Sequence, residues 1–343
     1  MSLAVGVIIV LPPGDRPAVA ASTYEVTELG ELQPGSRGLV RGLNLAGETA
    51  GGLHLGGRGH RAFKLLKNRR EVLEGLPGTD YSASLGINRQ GTIVGFSNTA
   101  TALRAFRSSQ GVVEELRALP GDSSSKAFAI NGQDQVTGYS GGPNGMQAVR
   151  WAANGTVEPL GTLRPGDYSQ GVGINDNSGE VVGNSGTSQR MRGFLWTRRD
   201  GMRDLGALPG DTDSEAAGIN NRSEVVGVSR GPLGNRAFLW TRGGGLRGLG
   251  TLPGQVSSQA RAINDLGHVV GMSEGALRAR AFLWTSGLGM QDLNDLVPPG
   301  SGVVLREATG INDIGQIVVV AVRDHEEDDH DLGTRVLLLT PRP

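Results

Sequence analysis

No cysteine occurs in this chain. That absence excludes disulfides, a thiolate metal site, a Cys nucleophile and a lipid-bearing Cys anchor. Aromatic residues are scarce, at 4%. An excess of either charge is lacking too, because Lys plus Arg nearly balances Asp plus Glu and leaves a formal net charge of −1. No basic stripe therefore invites nucleic acid. The apolar run Leu3–Leu11 (LAVGVIIVL) is too short to span a bilayer. No 3.6-residue periodicity is visible, which argues against helical repeats. No GxSxG, P-loop, HExxH or EF-hand pattern is present, so no familiar catalytic or metal-binding motif stands out.

Glycine and a repeated turn fill the space those absences leave. The chain holds 56 Gly among its 343 residues. Pro-Gly recurs at Pro34-Gly35, Pro77-Gly78, Pro120-Gly121, Pro165-Gly166, Pro209-Gly210, Pro253-Gly254 and Pro299-Gly300, in steps of 43 to 46 residues. An Asn follows each one, at Asn44, Asn88, Asn131, Asn175, Asn220, Asn264 and Asn312. A period of this size marks an array of one supersecondary unit.

The fifth unit shows the pattern most clearly. Ala216–Ile219, Glu224–Ser229, Arg236–Thr241 and Leu246–Leu252 read as strands, separated by Gly, Pro, Asn and Asp. Four antiparallel strands in about 44 residues is the size of a propeller blade. The expected fold is all-β, a seven-bladed β-propeller over residues 22–343, with units beginning near 29, 73, 116, 160, 205, 249 and 293. The seventh unit has three strands, near Ala308–Ile311, Ile317–Val322 and Arg335–Leu339, and lacks a fourth. Tyr24–Leu29 matches the missing strand and is expected to close the last blade, which would remove an exposed edge.

The repeated residues have structural explanations. Asn at the end of a first strand suits an Asx turn, and Pro-Gly a tight turn between blades. Gly52, Gly95, Gly138, Gly183, Gly227 and Gly271 lie in second strands, where a Gly marks close approach of another group. The third-strand Phe is the expected group. Trp151, Trp196, Trp240 and Trp284 share one third-strand position and read as packing between blades rather than as platforms for sugars.

Residues 1–21 stand outside the repeat. Leu3–Leu11 has the length of a signal-peptide core, and Ala18-Val19-Ala20 supplies a small-residue cleavage pattern, although no Lys or Arg precedes the run. A signal peptide over 1–21 is expected, and with it a secreted, periplasmic or cell-surface protein.

The blocks RAFLW (236–240, 280–284), RGFLW (192–196), GIN (173–175, 218–220, 310–312) and VVG (181–183, 225–227, 269–271) resemble the HAF family of extracellular repeat proteins. The stretches DLNDLVPPGSG and ATGINDIGQIV, within 292–318, are similar to that family's terminal unit. The resemblance covers residues 24–340 and implies an exported bacterial β-propeller. It carries no catalytic residue across. Arg-Ala-Phe stands here where the family's namesake has His-Ala-Phe.

Two asymmetries break the repeat. In the first strands, alternation with period two predicts one face of small residues and one of variable residues. The variable face is the candidate channel lining, and its charged members are Arg41, Lys126, Glu215, Arg261 and Glu307. The alternative is a water-filled channel with incidental charges. The second asymmetry is DHEEDDHD, Asp324–Asp331 in unit seven, which ring closure would bring beside His54 and His60 of unit one. His54, His60, His325 and His330 with these carboxylates suit Zn²⁺ or another divalent metal. A solvated acidic loop is the alternative. No other cofactor is expected.

The leading function is an exported scaffold or binding protein presenting loops and a polar channel mouth. Its partner would be a carbohydrate, a small molecule or an envelope protein, and the chain would be a monomer. The alternative is a hydrolase or lyase acting on a polysaccharide or small metabolite at that mouth, assisted by metal.

Overall fold

A computed structural model describes residues 23–32, 40–54, 60–66, 69–99, 101–187, 189–276, 278–323 and 334–342. The leader and the acidic loop at 324–331, with His325 and His330, lie outside the described residues.

The short β-branched runs do form strands, and the protein is an all-β propeller. The described strands make five sheets of four strands and one of eight. Within the eight-stranded sheet a parallel pairing of His60 with Tyr81 links unit one to unit two. Among the described residues no sheet is closed on itself. Unit five comprises Asp213–Ile219, Val225–Gly231, Gly234–Thr241 and Gly245–Gly248. Its last strand stops before the expected Leu252, because Gly250, at φ +83°, turns the chain inward and buries Leu252. In unit seven, Tyr24–Leu32 pairs antiparallel with Thr334–Pro341, with Tyr24 opposite Pro341 and Leu32 opposite Thr334.

Neighbouring sheets are latched by buried polar side chains. Asn88 shows the first latch. Its Oδ1 accepts the N–H groups of Gln90 and Thr92 at 3.1 and 2.9 Å, which is the expected Asx turn. Its Nδ2 also donates to the backbone oxygen of Asn131 in the next unit, at 3.1 Å. The same donation runs from Asn44 to Asn88, Asn131 to Asn175, Asn175 to Asn220, Asn220 to Asn264 and Asn264 to Asn312. Asn312 donates to Asn44 at 2.9 Å, so the hydrogen bonds form a cycle.

A second latch is serine. Ser82, Ser125, Ser169, Ser214 and Ser258 each accept a third-strand N–H from the preceding unit, at 2.8 to 3.1 Å. A further set, second-strand Ser97, Ser140, Ser185, Ser229 and Ser273, pins the connection that enters each of these units. Each accepts the N–H of the Leu that leads into Pro-Gly, at 2.9 to 3.2 Å. The Pro-Gly turns then close as Asp122 N–H bonds Leu119 oxygen at 3.0 Å, with Gly121 at φ +90° in the position that a type II turn reserves for Gly.

A bulge interrupts the first strand. In unit two, Ser84 pairs with Gly95 and Gly86 with Val94, leaving Leu85 unpaired. Shifts recur at the matching place in the other units. The bulge also explains the second-strand glycines. A Cβ on Gly227 would collide with the backbone oxygen of Glu215, and one on Gly95 with that of Ala83. First-strand backbone at the bulge is thus the nearest group at both positions. At Gly183 the expected Phe194 ring also closes in.

The core lies between neighbouring sheets. Val226, Ala237, Ile263, Phe282 and Trp284 pack unit five on unit six. Leu29, Val40, Phe63, Leu65, Val318, Val336 and Leu338 pack unit seven on unit one. Trp151, Trp196, Trp240 and Trp284 are all buried. Trp151 donates its indole N–H to Arg117 oxygen at 2.8 Å, and Arg guanidinium groups cover the other three rings at 5.4 to 5.6 Å.

Candidate functional site

The seven first strands converge on a central cavity of about 370 Å³. Its collar is the Ile-Asn or Leu-Asn pair at the end of six of these strands, from Leu43-Asn44 to Ile311-Asn312, with Ile130 from unit three. The next residue of each unit forms the rim: Leu45, Arg89, Gly132, Asp176, Asn221, Asp265 and Asp313. Side chains on this rim also bridge units. Asp176 accepts Gly132 N–H at 2.5 Å, Asn221 accepts Asp176 N–H at 2.8 Å, and Asp313 accepts Asp265 N–H at 2.8 Å. Burial pushes the Asp313 carboxyl above the usual carboxylate range, and the Asp265 and Asp176 charges add to this against the Asp265 N–H.

Further back along the same strands lie the five expected lining charges. Arg261 donates through Nε to Glu307 Oε1 at 2.6 Å, across units six and seven. Burial lowers the Arg41 pKa, the Arg261 charge lowers it further, and Glu307 opposes both. Burial likewise lowers the Lys126 pKa, with the Arg41 charge adding to it. Charges from units one, three, six and seven therefore lie near enough to shift one another. The Arg41 side chain is exposed to solvent, and Lys126 is half-buried. Among the described residues no carboxylate lies within ion-pair distance of Arg41 or Lys126. Glu215 is engaged elsewhere, by Arg230 of the adjacent strand in its own sheet.

An aromatic wall stands beside these cations. The Lys126 ammonium lies over the Phe96 and Phe128 rings, 4.3 and 5.0 Å from their centroids. Phe128 contacts Tyr139 at 6.2 Å, and Phe96 contacts Tyr81 at 5.7 Å. His60 stacks on Tyr81 at 4.4 Å and 12°, with Nδ1 3.2 Å from Ser82 oxygen. Burial raises the pKa of Tyr81 and of Tyr139.

The candidate metal site is described only in part. The backbones of His54 and His60 face each other across a hairpin, and the His60 ring contacts unit two. Among the described residues no group of three His, Cys, Asp or Glu side chains is arranged to hold a metal ion.

The bulge changes how the channel charges should be read. Simple alternation would put all the variable residues on one lumen-facing surface, whereas a bulge resets the alternation partway along each strand. Phe96 and Tyr139 escape such a reading because they lie on second strands. Their register partners are Ala83 and Lys126. The signal was a column, aligned on the hairpin, that reads Phe96, Tyr139, Asn184, Val228, Met272 and Val320, with aromatics in units two and three alone.

No protein-family model and no curated protein sequence matches the chain. Its likeness to solved structures is one of fold. A streptogramin B lyase superposes with a TM-score of 0.60 at 14% identity, covering 93% of this chain and 98% of that one. YCF48 bound to D1 peptide gives 0.57 at 11%, covering 95% and 98%. The β-propeller domain of the trilobed protease from Pyrococcus furiosus gives 0.56 at 10%, covering 88% and 93%. No helix among the described residues is long and apolar enough to cross a membrane.

Proposed function

We propose that this chain is a seven-bladed ring, closed by its N-terminal strand, that binds a ligand at the Arg41–Lys126 end of its central channel. The observation that carries the reading is the break in symmetry there. Repeated units supply latches and packing at every blade, yet Arg41, Lys126 and the Phe96–Phe128 wall belong to units one to three only. Packing has no use for such asymmetry, whereas a binding site requires it. The Asn cycle and the pairing of Tyr24–Leu32 support closure.

The YCF48 structure holds a D1 peptide, and other structures of similar fold are a lyase and the β-propeller domain of a protease. The fold therefore leaves the choice to the site. A hydrolase or lyase is the second reading. One observation favours it, the His60 imidazole stacked on Tyr81 at the end of the aromatic wall. Turnover of a bound compound that is lost in His60→Ala would support it. We also infer export and HAF membership from the leader and the RAFLW, GIN and VVG blocks. Mass spectrometry of the mature N-terminus should find it at residue 21 or 22.

The binding reading is tested by a thermal-shift screen of short peptides, oligosaccharides and organic acids against wild type and Phe128→Leu/Arg261→Gln. Hits that vanish in the double variant are expected. Hits with the same midpoint shift in both proteins would place binding outside the channel.

A further inference from the structure

We propose that the channel site, taken as the ligand site argued above, is specific for anions: it takes a carboxylate or phosphate group carried on a flat apolar body. Arg41 and Lys126 come from the first strands of units one and three, Arg41 exposed to solvent and Lys126 half-buried on its aromatic wall. A half-buried cation without a carboxylate partner is unfavourable unless something neutralises it, and a second cation adds to the demand. The nearby carboxylate, Glu307, is bonded to Arg261 at 2.6 Å, and Glu215 is held by Arg230. Among the described residues no other carboxylate approaches either cation within ion-pair distance. An anion from solution supplies the missing charge.

The geometry also selects what the anion is attached to. The Lys126 ammonium sits on two aromatic faces, 4.3 Å from Phe96 and 5.0 Å from Phe128. Tyr81 and Tyr139 extend that wall on either side. A charge gripped from below by π-faces presents its remaining N–H donors to the lumen. The Arg41 guanidinium adds a planar fork that matches the two oxygens of a carboxylate or phosphate. An aromatic or other flat apolar body bonded to that anion lies against Phe128 and Tyr139. A cation is repelled here, and a neutral polyol leaves both charges unanswered.

Calorimetric titration with five probes tests this: phenyl phosphate, benzoate, inorganic phosphate, benzyl alcohol and benzylamine. Wild type is expected to bind phenyl phosphate and benzoate, to bind inorganic phosphate more weakly, and not to bind benzylamine. Arg41→Gln and Lys126→Met should each weaken phenyl phosphate at least about tenfold, the effect of losing one charge-assisted contact. Phe128→Leu should weaken phenyl phosphate and leave inorganic phosphate unchanged. None of the three variants removes an inter-unit hydrogen bond among the described residues, Phe128→Leu keeps an apolar group on the Ala83, Leu85 and Phe96 cluster, and a cooperative unfolding transition with a far-UV spectrum like wild type checks that each folds. Equal phenyl phosphate affinity in wild type, Arg41→Gln and Lys126→Met would overturn the proposal. So would the absence of binding by both aromatic anions. If benzyl alcohol or benzylamine binds instead, and Phe128→Leu abolishes that binding, the channel reading stands and the anion assignment falls.

Discussion

Lys126 holds a charge where the fold gains least from it. Burial and the Arg41 charge lower its pKa below that of a free lysine, so folding penalises the protonated form. Below its folded pKa the penalty is present in full. Between that value and the unfolded one, about 10.4, the unfolded chain binds more protons and stability rises with pH. Lys126→Met is therefore expected to raise Tm at pH 7, with the gain fading as pH climbs towards about 10.4. The titratable groups facing it are Arg41, Tyr139 and, behind Phe96, Tyr81. Burial holds both tyrosines above their usual range, so they stay neutral through the lower part of this window. A fall in Tm at pH 7 would mean that the contacts with Phe96 and Phe128 outweigh desolvation. Asp313 is the mirror case at the other end of the cavity. Its carboxyl is raised by burial, so its charged form is penalised at neutral pH and the penalty disappears as pH falls through the folded pKa and then the unfolded value, about 3.9. Asp313→Asn keeps an acceptor for Asp265 N–H, as Asn221 does for Asp176. It should raise Tm at pH 7 and leave it unchanged below about pH 3.5, both read by differential scanning calorimetry.

At the scale of the element, the hairpin that ends in Asn explains why the residue is Asn and never Asp. An Asx turn needs only a side-chain oxygen, which either residue supplies. The bond to the next unit needs a donor. In unit five, Asn220 Oδ1 accepts Arg222 and Glu224 N–H, while Nδ2 donates to Asn264 oxygen at 3.0 Å and to Glu224 Oε2 at 2.7 Å. Asn220→Asp keeps the turn, removes the inter-unit donor and faces Glu224 with a second carboxylate. A loss of about 1–3 kcal/mol is expected in urea denaturation at pH 7. An unchanged midpoint would show that the turn alone is what the position requires. Trp240→Ala, which empties a buried site between units four and five, should cost roughly 3–5 kcal/mol in the same measurement. The strands, the Pro-Gly turns and the Asx turns are legible in the sequence because each depends on a few adjacent residues. The Asn donation, the serine latches and the aromatic wall are not, because their partners lie some twenty to forty positions away, as Ser82 does from Ala62 and Asn88 from Asn131. The lining residues Arg41, Lys126, Arg261 and Glu307 are legible as variable positions in a regular column. Their grouping, and the diversion of Glu215 to Arg230, follow from cross-strand register and from the bulge.

For the whole molecule the decisive contact is the one between the two ends of the described chain. Tyr24–Leu32 lies along Thr334–Pro341 as the outer strand of its sheet. Tyr24 and Leu29 are buried, and Thr23 and Tyr24 N–H both bond Leu296 oxygen, at 3.0 and 3.1 Å. Removing this strand would unpair one edge of Thr334–Pro341, uncover Leu337 and Leu339, and strip Leu29 from the packing of unit seven on unit one. An exposed apolar edge of that kind pairs with other chains. Deletion of residues 1–32 is therefore expected to cause aggregation or a large fall in Tm. A synthetic peptide of residues 23–32, added in excess, should restore part of the lost stability by refilling the edge, with a Tm that rises with peptide concentration. A deletion variant that stays monomeric with the wild-type Tm would sink the N-terminal strand as the closure of the ring. The Asn312 bond to Asn44 and the packing of Val318, Val336 and Leu338 on Val40, Phe63 and Leu65 would then be what holds unit seven to unit one, since neither needs the outer strand.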